Sequence, residues 1–189
     1  MGPLQPDALV RLDSPHDAFC STPTDVAVEG ELDLSERVPV MARATVSVQT
    51  ERAFHVLDVT DEARALVRRS GARDGSLVVF TPHTTCAVKI NERETCFLED
   101  FRLFMEQLVP SSAYYRHDDF ELRTENLEDP VSEPVNGHAH IKAMLVGSSS
   151  EHVPIVEGDL AMGRWQRIMF IELDQARPRR VVLQVQGWR

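Results

Sequence analysis

Stretches in which apolar and polar residues alternate recur along this chain of 189 residues, and they constrain its fold more than any other feature. Two of the clearest cover residues 43–50 and 84–91, where nearly every second side chain is apolar. Alternation of this kind is typical of a β-strand that buries one face. In the second stretch it predicts that Cys86 lies on the face opposite Lys89 and Asn91.

Helical patterns stand between these strand-like stretches. One predicted helix begins at Thr60, which could cap it, and ends at Gly71. A second has an apolar stripe from Phe97 to Leu108 at helical spacing and ends before Pro110. A third, short helix and three closing strands are predicted over residues 138–146, 153–156, 164–172 and 181–186.

The order of these elements favours an α+β fold over a parallel, doubly wound one, because hairpin-like turns join the closing strands. We predict one compact domain over residues 41–189, a mostly antiparallel β-sheet or sandwich with a few helices. Residues 1–40 contain eight acidic and two basic residues and five of the eleven prolines. They predict an acidic, partly disordered N-terminal extension, and an arm that binds a partner is the alternative.

The acidic excess of the chain, 30 acidic against 20 basic residues, is concentrated in that extension and in residues 118–136. The latter contain seven acidic residues and one basic residue, which predicts a solvated loop. No basic stripe remains, so nucleic-acid binding is not expected. No apolar run approaches the roughly 20 residues of a membrane-spanning helix, so membrane insertion is not expected. Three cysteines without zinc-finger spacing favour a reducing, cytoplasmic location.

Histidines are the most suggestive candidates for chemistry. His83, His117 and His140 each fall at a predicted junction between elements, and three imidazoles with an open position form a catalytic zinc pattern. Their spacing matches no motif, however, and the residues alone favour hydrogen-bonded structural histidines. His138 and His140 lie roughly 200° apart on a helix, so they cannot readily share one metal.

Other candidates each have two interpretations. Gly147–Ser150 could cradle a phosphate through backbone N–H and hydroxyl groups, or could simply end the preceding helix. Trp165 and Gln166 could pack in the core or contact a ligand. Glu172 ends an apolar strand, where a carboxylate is costly unless it is paired or ligating. Cys86 is expected to be a small buried residue rather than a nucleophile.

Lysine is scarce in this chain, whose 20 basic residues are 18 arginines and only Lys89 and Lys142. Lys89 lies between His83 and Asn91, and Lys142 follows His140. Lysine is a compact, titratable cation, whereas arginine is an always-charged fork. We therefore expect a compact cation to be required in the pocket that these residues form, with genome composition as the alternative explanation.

Taken together, several segments resemble the YjbQ family, in the same order, over about residues 41–187. The matching segments are His83–Glu92, Tyr115–Asp118, His138–Lys142, Leu145–Ser149, Val153–Ile155, Gly158, Gly163–Ile168 and Glu172. The resemblance implies a small α+β protein that assembles as a homotrimer. It also implies a secondary thiamine-phosphate synthase activity, in which a pyrimidine diphosphate joins a thiazole phosphate with loss of pyrophosphate. Two departures are Cys86, where many members have serine, and a longer acidic loop.

The resemblance also implies roles for individual residues. The predicted ligands of a divalent metal, zinc first, are His83, His117 and His140. The predicted catalytic residues are Asn91, Lys142 and Glu172. The residues predicted to hold the phosphorylated ligand are Gly147, Ser148, Ser149, Trp165 and Gln166. The expected function is thiamine-phosphate synthase-type transfer, or other chemistry on a phosphorylated small molecule. The alternative is a non-enzymatic homotrimer that binds a metabolite or a metal.

Overall fold

The computed structural model describes residues 36–127, 129, 132–147 and 149–189. Within these residues the chain forms eight strands and three α-helices, in the order β1 (Pro39–Gln49), β2 (His55–Asp58), α1 (Thr60–Ser70), β3 (Asp74–Phe80), β4 (Cys86–Glu92), α2 (Thr95–Leu108), α3 (Gly137–Val146), β5 (Ser150–Val156), β6 (Asp159–Leu160), β7 (Gln166–Glu172) and β8 (Pro178–Trp188). A short 3-10 helix, Arg116–Asp118, lies between α2 and α3.

The strands form two sheets, and every strand pairing in the described part of the chain is antiparallel. One sheet has five strands in the order β1-β8-β3-β5-β6, and the other has three in the order β2-β7-β4. The two longest strands, β1 and β8, pair over their full length, from Pro39 opposite Trp188 to Gln49 opposite Pro178. The predicted α+β fold with a mostly antiparallel sheet is therefore confirmed.

The main core combines the apolar faces of both sheets. Leu77 of β3, Val88 of β4 and Phe170 of β7 are fully buried in it, and Leu66 of α1 packs against the same cluster. Burial of such side chains contributes roughly 1.5–3 kcal/mol each, so this cluster is a main source of stability. Cys86 belongs to it together with Val88, which confirms the predicted face of β4.

A smaller core on the other face of the three-stranded sheet carries α2 and α3. Ala87 of β4 and Ile171 of β7 cluster there with Ala139 of α3. Phe101 of α2 packs edge-on against Phe54, with 5.4 Å between the ring centroids. Because β7 is covered on both faces, most of its residues are buried, including the carboxylate with which it ends.

Helix α1 has the predicted bounds, and Gly71 ends it with a left-handed φ of 71°. Thr60 is the first helical residue rather than the cap, however. The Asp58 carboxylate accepts hydrogen bonds from the backbone N–H and the hydroxyl of Thr60, at 3.0 and 2.6 Å. The Thr60 hydroxyl in turn accepts the N–H of Ile168, so α1 is tied directly to β7.

Helix α2 also lies where its apolar stripe predicts, and the Glu94 carboxylate caps its first turn by accepting two backbone N–H groups. The stripe is only partly buried. Met105 is buried, whereas Phe104 and Leu108 are 59% and 55% exposed. Helix α2 therefore keeps an apolar surface that the described residues do not cover.

The predicted boundary between residues 40 and 41 stays a prediction, because residues 1–35 lie outside the described residues. Strand β1 begins at Pro39, close to that boundary. Among the helices of the described residues, none is long and apolar enough to cross a membrane.

Candidate functional site

A cavity of about 550 Å³ lies between four segments: the residues before β4, the loop that leads to α3, the first turn of α3 and the turn into β8. Its charged and titratable lining residues are His83, His117, His140, Arg123, Arg177, Arg179 and Glu133. The three predicted histidines therefore line one cavity, although they are far apart in the sequence. Three guanidinium groups and one carboxylate give this lining a net positive charge.

Two of the histidines are in contact. The rings of His117 and His140 have centroids 4.6 Å apart. Asp118 Oδ1 lies 3.1 Å from His117 Nδ1 and accepts the backbone N–H groups of Asn136 and Gly137, each at 2.9 Å. One carboxylate thus orients His117 and also caps the helix that carries His140.

The environments of His140 and His83 favour neutral imidazole rings. Burial lowers the pKa of His140, and the neighbouring His117 lowers it further. Burial also lowers the pKa of His83, followed by the charges of Arg179 and Arg180. His83 Nε2 accepts the backbone N–H of Arg180 at 3.0 Å, which places the ring hydrogen of the neutral form on Nδ1. Near pH 7 the neutral His140 ring can therefore offer a lone pair to a ligand, whereas the neutral His83 ring can offer its Nδ1–H as a donor.

Arg123, the one basic residue of the acidic segment 118–136, organises the loop before α3. Its Nη2 donates to the Glu133 carboxylate and to the Asn126 carbonyl, each at 2.9 Å. Its Nη1 donates to the His117 carbonyl at 3.4 Å. Described residues of the acidic segment therefore surround a largely buried cation, which lines the cavity beside the histidine pair.

A buried ion pair fixes a second cation of the cavity. Glu172 is fully buried and accepts hydrogen bonds from Arg179 Nε at 2.6 Å and from Arg179 Nη2 at 3.0 Å. The same Nη2 donates to the Thr85 hydroxyl at 3.2 Å, and the Asp174 backbone N–H donates to Glu172 at 3.0 Å. The costly carboxylate is thus paired, and Glu172 is placed to position Arg179 rather than to line the cavity.

Cys86 lies beside this ion pair and is buried, as predicted. Its Sγ is 3.6 Å from a Glu172 carboxylate oxygen. Burial, and next the neighbouring carboxylate, raise the pKa of the Cys86 thiol to about 12. Because the thiolate is the nucleophilic form, a thiol with this pKa is unreactive at neutral pH.

Neither lysine lines the histidine cavity. Lys142 is buried and donates to the Glu106 carboxylate of α2 at 2.6 Å, and Lys89 pairs with Glu151 of β5 at 2.8 Å. Partial burial acts to raise the pKa of Glu106, but hydrogen bonds from Lys142 and Ser111 outweigh it and lower that pKa to about 2. Among the described residues the basic side chains that line this cavity are arginines, and the expectation that a lysine is required at the site stays a prediction.

The predicted catalytic residues are not brought together within the chain. Asn91 lines a separate groove between α2 and α3, and its side chain accepts the N–H of Glu92 at 2.8 Å. Lys142 is held in its ion pair with Glu106, and Glu172 is buried against Arg179.

Of the residues predicted to hold a phosphorylated ligand, those that the structure describes also lie outside the histidine cavity. Gly147 ends α3 with φ of 104°, and the Ser149 carbonyl accepts the N–H of Thr81 at 2.8 Å. Trp165 is 63% exposed with a guanidinium 4.6 Å from its ring, and Gln166 accepts a backbone N–H. Ser148 lies outside the described residues.

Several residues of the cavity were not predicted from the sequence, among them Arg123, Asn136, Arg177 and Arg179. Arg123 had a signal, because a single cation inside a strongly acidic segment is an obvious centre for hydrogen bonds. Arg179 had one too, because the buried carboxylate at the end of β7 required a cationic partner. Residues 177–180 lie between the last two predicted strands. The sequence predicts only a turn there, so no role was assigned to their basic side chains.

We expect Asp118→Ala to lower the free energy of unfolding by about 1–2 kcal/mol, the usual cost of losing a helix cap. Asp118→Asn keeps an acceptor oxygen and should cost less. Urea denaturation measures both, and ring ¹⁵N shifts of His117 should change in the alanine variant.

The matched control is Asp119→Ala, because Asp119 is the adjacent acid and accepts from the exposed Tyr114 hydroxyl. Equal losses of stability in Asp118→Ala and Asp119→Ala would contradict the capping role.

Comparisons with known proteins agree with this architecture. A family model described as "UPF0047 protein YjbQ-like" matches residues 44–188. A UPF0047 protein of Archaeoglobus fulgidus is 41% identical over 138 residues, which are 73% of this chain and 96% of that protein. A UPF0047 protein of Methanothermobacter thermautotrophicus is 34% identical over 74% of this chain and 88% of its own length.

Solved structures give the same result. A YbjQ-like protein of unknown function from Sulfolobus solfataricus superimposes with a TM-score of 0.68 and 30% identity, covering 79% of this chain and 99% of that one. A hypothetical protein from Aeropyrum pernix gives a TM-score of 0.66 and 36% identity, covering 77% of this chain and 98% of that one.

Proposed function

The chain belongs to the UPF0047, YjbQ-like protein family, and we propose that its arginine- and histidine-lined cavity binds the phosphate or diphosphate group of a small molecule and acts on it. The observation that carries the proposal is the convergence of Arg123, Arg177 and Arg179 on one cavity that also holds three histidines. Guanidinium groups match phosphate oxygens as paired donors and keep their charge at every physiological pH.

Arg179 is the best prepared of these donors. Its Nε and Nη2 are held by Glu172 and Thr85, while its Nη1 makes no hydrogen bond to a described residue. A guanidinium that is already fixed loses little conformational freedom when it binds an anion. The buried ion pair therefore supports a preorganised donor toward a ligand in the cavity.

We propose a thiamine-phosphate synthase-type transfer as the reaction. The bond between the pyrimidine methylene carbon and the diphosphate oxygen breaks, and its electron pair leaves with pyrophosphate. The thiazole nitrogen then forms the new C–N bond to that carbon. Arginines stabilise the charge that develops on the leaving group. The high pKa of Cys86 supports this electrostatic mechanism over a thiolate nucleophile.

Inorganic pyrophosphate tests the site directly. We expect it to bind the wild-type chain in calorimetry, and we expect Arg123→Gln or Arg177→Gln to weaken binding about tenfold or more, the usual effect of losing a hydrogen bond to a charged group. Arg69→Gln, on the exposed side of α1, is the matched control. Unchanged affinity in both cavity variants would overturn the anion site.

The activity is tested with the pyrimidine diphosphate and thiazole phosphate substrates, by following pyrophosphate release and thiamine phosphate formation. Turnover that falls in the arginine variants supports the enzyme. Saturable binding without turnover over hours instead supports the alternative function, a non-enzymatic metabolite-binding protein.

A divalent metal, zinc first, is a separate proposal. The rings of His117 and His140 are in contact and could supply two nitrogen ligands. His83 Nε2, in contrast, already accepts a hydrogen bond from the backbone N–H of Arg180. Across the described ranges no group of three His, Cys, Asp or Glu side chains is arranged to hold a metal ion. Catalytic zinc usually has three protein ligands. As placed, the three histidines therefore do not fit such a site, and the reaction above depends on no metal.

Metal analysis of the untagged protein after dialysis against zinc tests this proposal. If His117 and His140 hold zinc, the wild type and the exposed variant His152→Ala should retain about one ion per chain, and His140→Ala should lose it. A wild-type chain without stoichiometric zinc rejects the metal.

We also propose that the chain assembles as a homotrimer. The support is an apolar surface on α2 and α3 that the described residues leave uncovered, where Phe104, Leu108, Met144 and Leu145 are each more than half exposed. Exposed apolar surface of this kind is typical of protein interfaces.

The cytoplasmic location stays a prediction from the cysteines.

Light scattering should give a mass of three times 21.3 kDa for the wild type. Met144→Asp should dissociate the assembly, because a carboxylate would be buried without a partner. Val156→Asp, at an exposed apolar position of β5, should leave the mass unchanged. A monomeric wild type contradicts the assembly.

A further inference from the structure

Asn136 occupies the N-cap position of α3, but its side chain does not cap the helix. Asparagine is favoured at this position because its side-chain oxygen normally accepts an N–H of the first turn. Here Asp118 accepts the backbone N–H groups of Asn136 and Gly137 instead. Helix capping therefore does not account for an asparagine at this position.

The orientation of this amide is fixed by its neighbour. Asn136 Nδ2 donates to Asp174 Oδ2 at 3.0 Å, and an ionised carboxylate can only accept. Asp174 is itself buried and held by Arg177, with 2.8 Å between Nη2 and Oδ2. Swapping the amide would set two acceptor oxygens against each other, so Asn136 Oδ1 is directed away from Asp174.

That oxygen is an acceptor without a donor. Asn136 is only 4% exposed and lines the histidine cavity, and its Oδ1 is buried with no hydrogen-bond partner in the described part of the chain. Buried polar atoms in native proteins are nearly always paired, and exceptions concentrate where a ligand completes the site. The missing partner must be a hydrogen-bond donor, which excludes an anionic oxygen at this point of the wall.

We propose that Asn136 Oδ1 is a specificity-determining acceptor, which takes a hydrogen bond from an N–H or O–H group of the ligand whose phosphate the arginines bind. This inference rests on the proposed function. The ligand class is thereby narrowed to anionic molecules that also carry an amino, amide or hydroxyl donor on their uncharged portion. A phosphate ester without such a donor leaves the acceptor unpaired and is rejected, because a site built to hydrogen-bond discriminates strongly against analogues that lack the partner.

The experiment compares three probes in calorimetry: inorganic pyrophosphate, the diphosphate of a 4-aminopyrimidine methanol, and the same diphosphate with hydrogen in place of the amino group. We expect wild type to bind the amino compound about tenfold or more tightly than its desamino analogue. Asn136→Ala should bind the two diphosphates with equal affinity. Gln107→Ala, an exposed amide of α2, should keep the wild-type preference.

Failure of this inference differs from failure of the proposed function. No pyrophosphate binding by wild type overturns the anion site and the inference together. Pyrophosphate binding with equal affinities for the amino and desamino compounds overturns the inference alone, as does a preference that survives in Asn136→Ala. If the alanine variant does not fold, Asn136→Leu restores the volume without the acceptor, and the wild-type comparison of the two diphosphates still decides.

Discussion

The ion pair between Glu172 and Arg179 is the interaction on which the candidate site depends. A fully buried carboxylate is costly by several kcal/mol unless it is paired and hydrogen-bonded, and Glu172 meets both conditions. Thr50 at the end of β1 and Thr85 before β4 donate to or accept from the same pair. Residues from both sheets are therefore joined at one point. Removing one partner of such a pair typically lowers the free energy of unfolding by about 3–5 kcal/mol. Both the stability of the fold and the geometry of the site therefore depend on this contact.

Two carboxylates, one on a strand and one in a loop, position the groups that line the cavity. Glu172 holds Arg179 from the strand side, while Asp118 holds His117 and the start of α3 from the loop side. Asp174 and Asn136 connect the two sides through one hydrogen bond. Each of the three arginines that line the cavity is thus paired with a carboxylate, Arg179 with Glu172, Arg177 with Asp174 and Arg123 with Glu133. Such pairs hold the cations in place before a ligand binds.

The sequence predicts much of the fold because periodicity is a local property. The alternation around Cys86 follows the two faces of β4, and Gly71 ends α1 in the left-handed conformation. The histidines were found through family motifs, and the cavity brings them together. The arginines were not found, since the pairing of Arg179 with Glu172 depends on tertiary contact between β7 and β8. The two lysines attracted attention because they are rare, yet they form ion pairs elsewhere.

The position of Cys86 has a consequence for chemical durability. Oxidants attack thiolates. Burial, and next the carboxylate that holds Arg179, raise the pKa of the Cys86 thiol to about 12 and keep its sulfur protonated. A cysteine can therefore stand next to a polar, cation-lined cavity without becoming a target for peroxide. Of the two thiols that the structure describes as free, the exposed Cys96 at the start of α2 is the one that oxidants reach. Of these two thiols, oxidation would thus begin at Cys96 on α2 and leave the ion pair beside Cys86 intact.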